Sequence, residues 1–239
     1  MTQTRTTMVT GASRGIGLEL VRQSLERGDT VIATTRRPAP PLEQMQAAHG
    51  VRLVHVVADL ADEASIARSF EAVAARVDAI DLLVNNAGMY STRVQSWNPD
   101  ATRLDTVTQE ELVEVFRVNA AGPIVLVRHY LDLLRSGARI LNVSSLSGSV
   151  SAKSSAGDYA YAASKAALNI MTRALAAELA PRGIVAIAIT PGWVRTEMGG
   201  AHASLGVEES VRGMLAIADG LRRSDAGRFV DYQGEDQPW

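Results

Sequence analysis

Short apolar runs alternate with helical patterns along almost the whole chain, and that alternation restricts the fold more than any other feature. "TTMVT", "TVIATT", "VRLVHVV", "IDLLV", "ARILNVSS", "IVAIAIT" and "GRFVD" read as strands. Most are apolar on both faces, as strands of a parallel sheet covered by helices must be. Between them lie segments with helical spacing. Ile16, Leu20, Val21 and Leu25 mark one that Gly28 stops. A weak helix follows the prolines of 38–50, and Asp62 caps another reaching about Val77. "TQEE", Thr108 to Glu111, reads as a capping box that opens a long helical region ending near Ser136-Gly137. Two further helices run over 159–180 and 207–221. Alternation of this kind builds an α/β fold, a doubly wound, seven-stranded parallel sheet with helices on both faces. No linker-like shift, repeat or low-complexity tract interrupts it, so residues 1–239 read as a single domain. Ligands of such sheets bind beyond the carboxyl ends of the strands.

Composition narrows the function. A formal charge of -2 gives no electrostatic case for nucleic acid or an anionic membrane surface. Cysteine is absent, which excludes thiolate catalysis and a disulfide framework. His49, His55, His129 and His202 show no metal-ligand spacing, so no metal is expected. "MTQTR" leads straight into a strand, leaving no room for a signal peptide, and the apolar runs fall far short of a membrane span. A cytoplasmic setting is expected.

"TGASRGIG" follows the first strand and opens the first helix. Gly11, Gly15 and Gly17 allow a tight turn and close approach of backbone to phosphate. The helix N-terminus beyond, with Ser13, Arg14 and Ile16 in the loop, offers N–H groups and positive dipole character to a pyrophosphate. This is the position of the phosphate loop in a Rossmann-like fold. The spacing is neither G-x-G-x-x-G nor that of a nucleoside triphosphate loop. The plainer reading is a glycine-rich turn for tight helix–sheet packing. At the end of the second strand an NAD site usually carries an acid; here stand Thr35-Arg36-Arg37. Two guanidiniums suit a ribose 2′-phosphate, with Arg14 able to approach it, and so favour NADP(H) over NAD. Solvated arginines at a strand exit are the bland alternative. Asp59, followed by Leu60, could accept a bond from an adenine amino group or serve a turn with Asp62.

A polar cluster gathers at the other carboxyl ends. "NNAG" closes the fourth strand: its asparagines can support the loop, while Ala87 and Gly88, after Asn86, keep the floor low for a flat ligand. Ser144 and Ser145 close the fifth strand. Asn119 sits in an apolar helical stretch and wants a partner, either a buried water or a backbone group. Tyr161 and Lys165 are one helical turn apart and share a face. An ammonium there favours the phenolate and should lower the tyrosine from its usual ~10. Tyr159 is off that face. Lys165 can also bond ribose hydroxyls, and Ser145 a carbonyl oxygen. After the sixth strand, Pro191 and Gly192 turn the chain across the crevice. Val194 and Thr196 follow, with Thr196 offering a hydroxyl and nearby N–H groups to an amide or phosphate. Trp193, Met198 and Leu205 could wall the reacting end, and Gly199-Gly200 suggests a lid that moves.

Taken together, "TGASRGIG", "NNAG", Asn119, Ser144-Ser145, "YAASK" at 161–165 and "PGWVRT" at 191–196 resemble the short-chain dehydrogenase/reductase (SDR) family over nearly the whole chain. "YAASKAALN", "PGWVRTEMGG" and the closing "GRFVDYQGEDQPW" look most like its C-factor and Sniffer-type carbonyl reductases. The resemblance implies an NADP(H)-dependent oxidoreductase acting on a carbonyl or alcohol substrate. In it Tyr161 is the acid/base, Ser145 orients substrate, Lys165 holds the ribose and tunes the tyrosine, and Asn119 positions a water. It also implies a homo-oligomer, dimer or tetramer, paired through the long helices. C-factor likeness leaves a second class open, a dinucleotide-binding signalling protein with little turnover. One departure stands out. Ser145 and Tyr161 are sixteen apart where many members have thirteen, and the residue thirteen before Tyr161 is Gly148, flanked by Ser147 and Ser149. The extra residues fall in 146–158, which with 89–107 and 193–210 is expected to form the substrate loops.

Overall fold

The computed structural model describes residues 4–94, 98 and 102–239. Trp97, in one of the expected substrate loops, lies outside them. Seven strands form one sheet: β1 (Thr6–Thr10), β2 (Thr30–Thr35), β3 (Leu53–Val57), β4 (Ile80–Asn85), β5 (Leu134–Val143), β6 (Val185–Thr190) and β7 (Phe229–Asp231). Their order is β3-β2-β1-β4-β5-β6-β7, and every neighbouring pair is parallel. The order reverses between β1 and β4, where a doubly wound sheet opens its crevice.

Each face of the sheet carries its own apolar core. Val9, Val31, Val84, Leu141 and Ile187 point to one side. There they pack on α1 (Gly15–Glu26), α2 (Pro40–His49) and α7 (Val207–Gly220) through residues such as Leu20, Leu42 and Met214. Met8, Ile32, Leu83, Ile140 and Ala186 point to the other side. They meet α3 (Glu63–Ala74), α5 (Gly122–Tyr130) and α6 (Tyr159–Leu179) through Ile66, Leu126 and Leu175. Successive strand residues thus alternate between two buried layers, which is why the strands lack a polar face.

Two sequence expectations need correction. The helix opened by Thr108 is not continuous to Gly137. It runs as α4 (Gln109–Phe116), passes through a π-helical segment (Arg117–Ala121), and ends with α5 at Tyr130. The chain turns early because Leu133 carbonyl accepts the Ile80 N–H at 2.7 Å and Leu134 then pairs with Ile80, so β5 begins four residues before "ARIL". The capping box is only half formed. Thr108 accepts the Glu111 N–H at 3.2 Å, but the Glu111 carboxylate turns instead to Ser91 and Arg93, tying the loop after β4 to α4. Gly199 is close-packed within its own segment, whereas Gly200, with φ +79, has open space around it. A Cβ on Gly199 would lie 2.1 Å from Val194 carbonyl. The segment is knit by a Val194–Leu205 bridge and by Arg195 donating to Ala203 and Ser204 carbonyls.

Candidate active site

The strand ends and the loops after them enclose a cleft of about 570 Å³. At one end the glycine loop is shaped by close approach. Gly11 has φ +67, and a Cβ on it would sit 2.6 Å from Ala87 Cα; one on Gly17 would sit 2.2 Å from Gly11 carbonyl. Only glycine lets the loop pass this near the β4 exit. Thr10 braces the crossing, its hydroxyl accepting the N–H groups of Asn86 and Ala87 at 3.0 Å each. Asn86 answers by donating its amide to the carbonyls of Thr10 and Gly11. Asn86 therefore lines the cleft as the loop's support. The N-terminus of α1 has no side-chain cap and no acid in its first turn, so its N–H groups and dipole are available to an anion in the cleft.

Gly11, Ser13, Arg14, Gly15, Ile16, Gly17, Arg36, Asp59, Leu60, Asn86, Ala87, Gly88, Tyr161, Lys165, Pro191 and Thr196 all line the cleft. Arg37, Gly192, Val194, Asn119 and Ser145 are not among its lining residues. Gly192 and Val194 instead pack on Leu205, and Leu205 and Trp193 do not wall the cleft, whereas Met198 does. Asp59 lines the cleft and its Oδ1 also accepts the Ala61 N–H at 2.9 Å within the turn. Arg14 forms an ion pair with Glu197 at 3.0 Å, linking the glycine loop to the segment after β6 across the mouth of the cleft.

At the other end stand Tyr161 and Lys165, projecting from one face of α6. Lys165 is 4% exposed, and its Nζ donates to Val143 carbonyl at 2.8 Å and lies 5.7 Å from the Tyr161 ring centroid. Gly88 lies beside it and beside Asn119: a Cβ there would meet Asn119 Oδ1 at 3.3 Å and Nζ at an ordinary 3.6 Å. Burial pulls Lys165 down to about 8. Tyr161 corrects the expectation of an acidic phenol. Burial pushes it up to about 12, hydrogen bonding with Ser145 draws it down, and the Asp158 carboxylate raises it again. Desolvation is the largest influence on the phenol and outweighs the hydrogen bond with Ser145. Tyr159 is exposed at the surface, off this face.

The structure also separates the three serines. Ser145 is the one whose hydrogen bonding bears on the Tyr161 phenol, and its Oγ accepts the Ser147 N–H at 3.1 Å. Ser149 is buried and accepts the Ala152 N–H at 3.1 Å. Gly148 abuts α6, where a Cβ would lie 2.7 Å from Lys165 C and Cβ. Asn119 sits in the π-helical segment, fully buried. Its Oδ1 accepts the Met89 N–H and its Nδ2 donates to Met89 carbonyl, each at 2.8 Å, and to Ser164 Oγ at 3.0 Å. The backbone-partner alternative is thus the one realised by its side chain. Tyr90, expected in a substrate loop, lines the cleft, whereas sequence reasoning missed Thr10, Asp158 and Glu197. Only Asp158 left a local sign, a Gly-Asp pair just ahead of the helix.

The short chain dehydrogenase family model matches residues 5–204. The chain belongs to the short-chain dehydrogenase family. Among relatives of this SDR protein, C-signal from Myxococcus xanthus is 42% identical over 162 residues, covering 67% of this chain and 93% of its own. The NADPH-bound carbonyl reductase from chicken fatty liver superposes with a TM-score of 0.89 at 33% identity, covering 99% of this chain and 100% of that one. Carbonyl reductase Sniffer of D. melanogaster gives the same TM-score and coverage at 28% identity. Residues from most of the SDR motifs read from the sequence line this cleft.

Proposed function

We propose that this SDR protein is an NADP(H)-dependent reductase of small carbonyl compounds, with Tyr161 as the acid. One observation carries the reading: half-buried Tyr161 and buried Lys165 open on the same cleft as the uncapped α1 N-terminus and Arg36. A dinucleotide in the cleft would rest its pyrophosphate on the α1 N-terminus. Arg36, with Arg14 released from Glu197, would hold a 2′-phosphate. The NADPH-bound relative supports that cofactor. When bound, NADPH supplies a hydride to the carbonyl carbon. Tyr161 is protonated at neutral pH and donates its proton to the carbonyl oxygen as charge develops there. Ser145, beside the phenol, donates a hydrogen bond to the same oxygen. Lys165 places positive charge near the phenolate that Tyr161 becomes, and its ammonium can reach ribose hydroxyls.

Tyr161→Phe tests the acid: NADPH binding should persist while turnover of aldehydes, ketones or quinones falls by about 10²- to 10⁴-fold. Full turnover by that variant would refute the role. The relative named C-signal favours a second reading, a dinucleotide-binding protein that signals. Wild-type protein that binds NADPH and reduces nothing in a broad carbonyl panel would select it.

No helix among the described residues is long and apolar enough to cross a membrane. Leu112, Val113 and Phe116 on α4 and Ile170 on α6 leave apolar surface exposed. These helices pairing across a two-fold axis would cover it, giving a dimer or tetramer. Sedimentation of Val113→Lys against the parent tests this.

A further inference from the structure

Beside Tyr161 lies a buried cluster that the proton transfer does not use. Asp158 directly precedes α6 with φ 57 and ψ 30, the one non-glycine residue with positive φ among the described residues. A side chain there costs backbone strain that glycine would avoid, so the side chain must recover it. Its Oδ1 accepts hydrogen bonds from the Tyr90 hydroxyl and, at 3.1 Å, from Thr102 Oγ1, while its N–H donates to Thr102 Oγ1 at 3.3 Å. Asp158 is 8% exposed and Tyr90 3%. Burial and the hydrogen bond to Asp158 hold the Tyr90 phenol above its ordinary range, so it stays a donor.

Tyr90 lines the cleft, and its ring centroid is 5.4 Å from that of Tyr161 at a tilt of 51°. Its backbone has little freedom to shift, since Asn119 grips both polar groups of Met89 next to it. With the hydroxyl committed to Asp158, the ring offers the cleft only apolar surface, in a fixed place, next to the proton donor.

We propose that Tyr90 is a specificity-determining wall of the substrate pocket and Asp158 the positioning residue that fixes it, so that the carbonyl substituent on this side must be small and apolar. This rests on the carbonyl-reductase reading. The test is kcat/KM with NADPH for a series of aryl alkyl ketones from methyl to butyl, on the parent, Tyr90→Phe, Asp158→Gly and Asp158→Asn. Glycine suits the left-handed backbone and removes the anchor. Asparagine also tolerates that backbone and still accepts from Tyr90. The butyl-to-methyl ratio should rise by about 5-fold or more in Tyr90→Phe and Asp158→Gly, the scale on which pockets discriminate methylene groups. Asp158→Asn should keep the parent's ratio. Ratios within twofold across all four proteins would overturn the proposal, even if thermal stability changed. Absence of turnover by the parent would instead sink the reductase reading beneath it.

Discussion

Gly148→Ser places a serine thirteen residues before Tyr161, the spacing of many SDR relatives, and so asks which position supplies the hydroxyl. The structure argues against 148. The added Cβ would lie 2.7 Å from both Lys165 C and Lys165 Cβ and 2.9 Å from Ala166 N, where ordinary contact begins at 3.4 Å. The obstacle is the α6 backbone and the root of Lys165, which cannot swing aside, so the short helical turn Leu146–Gly148 must lift by several tenths of an ångström. Overpacking of this kind costs about 1–3 kcal/mol. For a chain of this size that is a fall in Tm of roughly 3–10 °C by calorimetry. Ser145→Ala alone should lower kcat about 10²- to 10³-fold, the usual loss of one donor to a developing oxyanion. Adding Gly148→Ser to it should recover nothing, because the new hydroxyl stands on a displaced turn. A Gly148→Ser protein with parental Tm that restored Ser145→Ala to within tenfold of wild type would refute both the packing argument and the assignment of Ser145.

Three further outcomes follow from the cleft. Arg36→Asp should weaken NADPH about 10- to 100-fold with little effect on NADH, as expected for one lost charge-assisted contact, and fluorescence titration of both cofactors measures it. Glu197→Gln removes the partner that Arg14 holds at 3.0 Å, so NADPH affinity should rise, by about 2- to 5-fold given that both side chains are exposed. Lys165→Met should abolish turnover yet raise stability at pH 7. Burial moves Lys165 from 10.5 to about 8, so its charge costs the fold roughly 3 kcal/mol below that value, partly offset by its bond to Val143 carbonyl. Between pH 8 and 10.5 the unfolded chain binds the extra proton, so wild-type stability climbs with pH. The Tm gap between the two proteins should therefore narrow across that window, and a constant gap would count against a buried, charged lysine.

The fold was legible because its signals are periodic and local. Two-sided apolar runs such as "IVAIAIT" admit little but a covered parallel strand, and Asp62 caps α3 as read, accepting the Ala64 N–H at 3.0 Å. Glycines before α1 announced a close approach. What stayed hidden depends on groups far apart in the chain. Glu111 leaves its capping box because Ser91 and Arg93 reach it, and α5 stops at Tyr130 because Ile80, fifty residues earlier, needs an acceptor. Asn119 finds Met89, Thr10 finds Asn86, and Asp158 finds Tyr90 only once the sheet is assembled. The site residues whose type alone suffices were readable. The distant partners that hold them, or that they hold, were not.

The Tyr161–Lys165 pair shows the limit most sharply. Spacing puts both side chains on one face of α6 and suggests a phenol made acidic by its neighbour. Burial reverses the sign, with the tyrosine at about 12 and the lysine at about 8. At neutral pH the lysine is still mostly the ammonium, but the tyrosine rests as the neutral phenol, not the phenolate that pairing would favour. For carbonyl reduction that is the useful arrangement. The phenol carries its proton at neutral pH, and no ion pair is formed in advance to be broken. When the proton leaves for a carbonyl oxygen, a phenolate appears beside a buried ammonium in a medium that screens poorly. The attraction is then realised as charge develops, not before. An interaction stronger in the transition state than in the resting protein is what accelerates a step, and a preformed phenolate–ammonium pair would have spent it in the ground state.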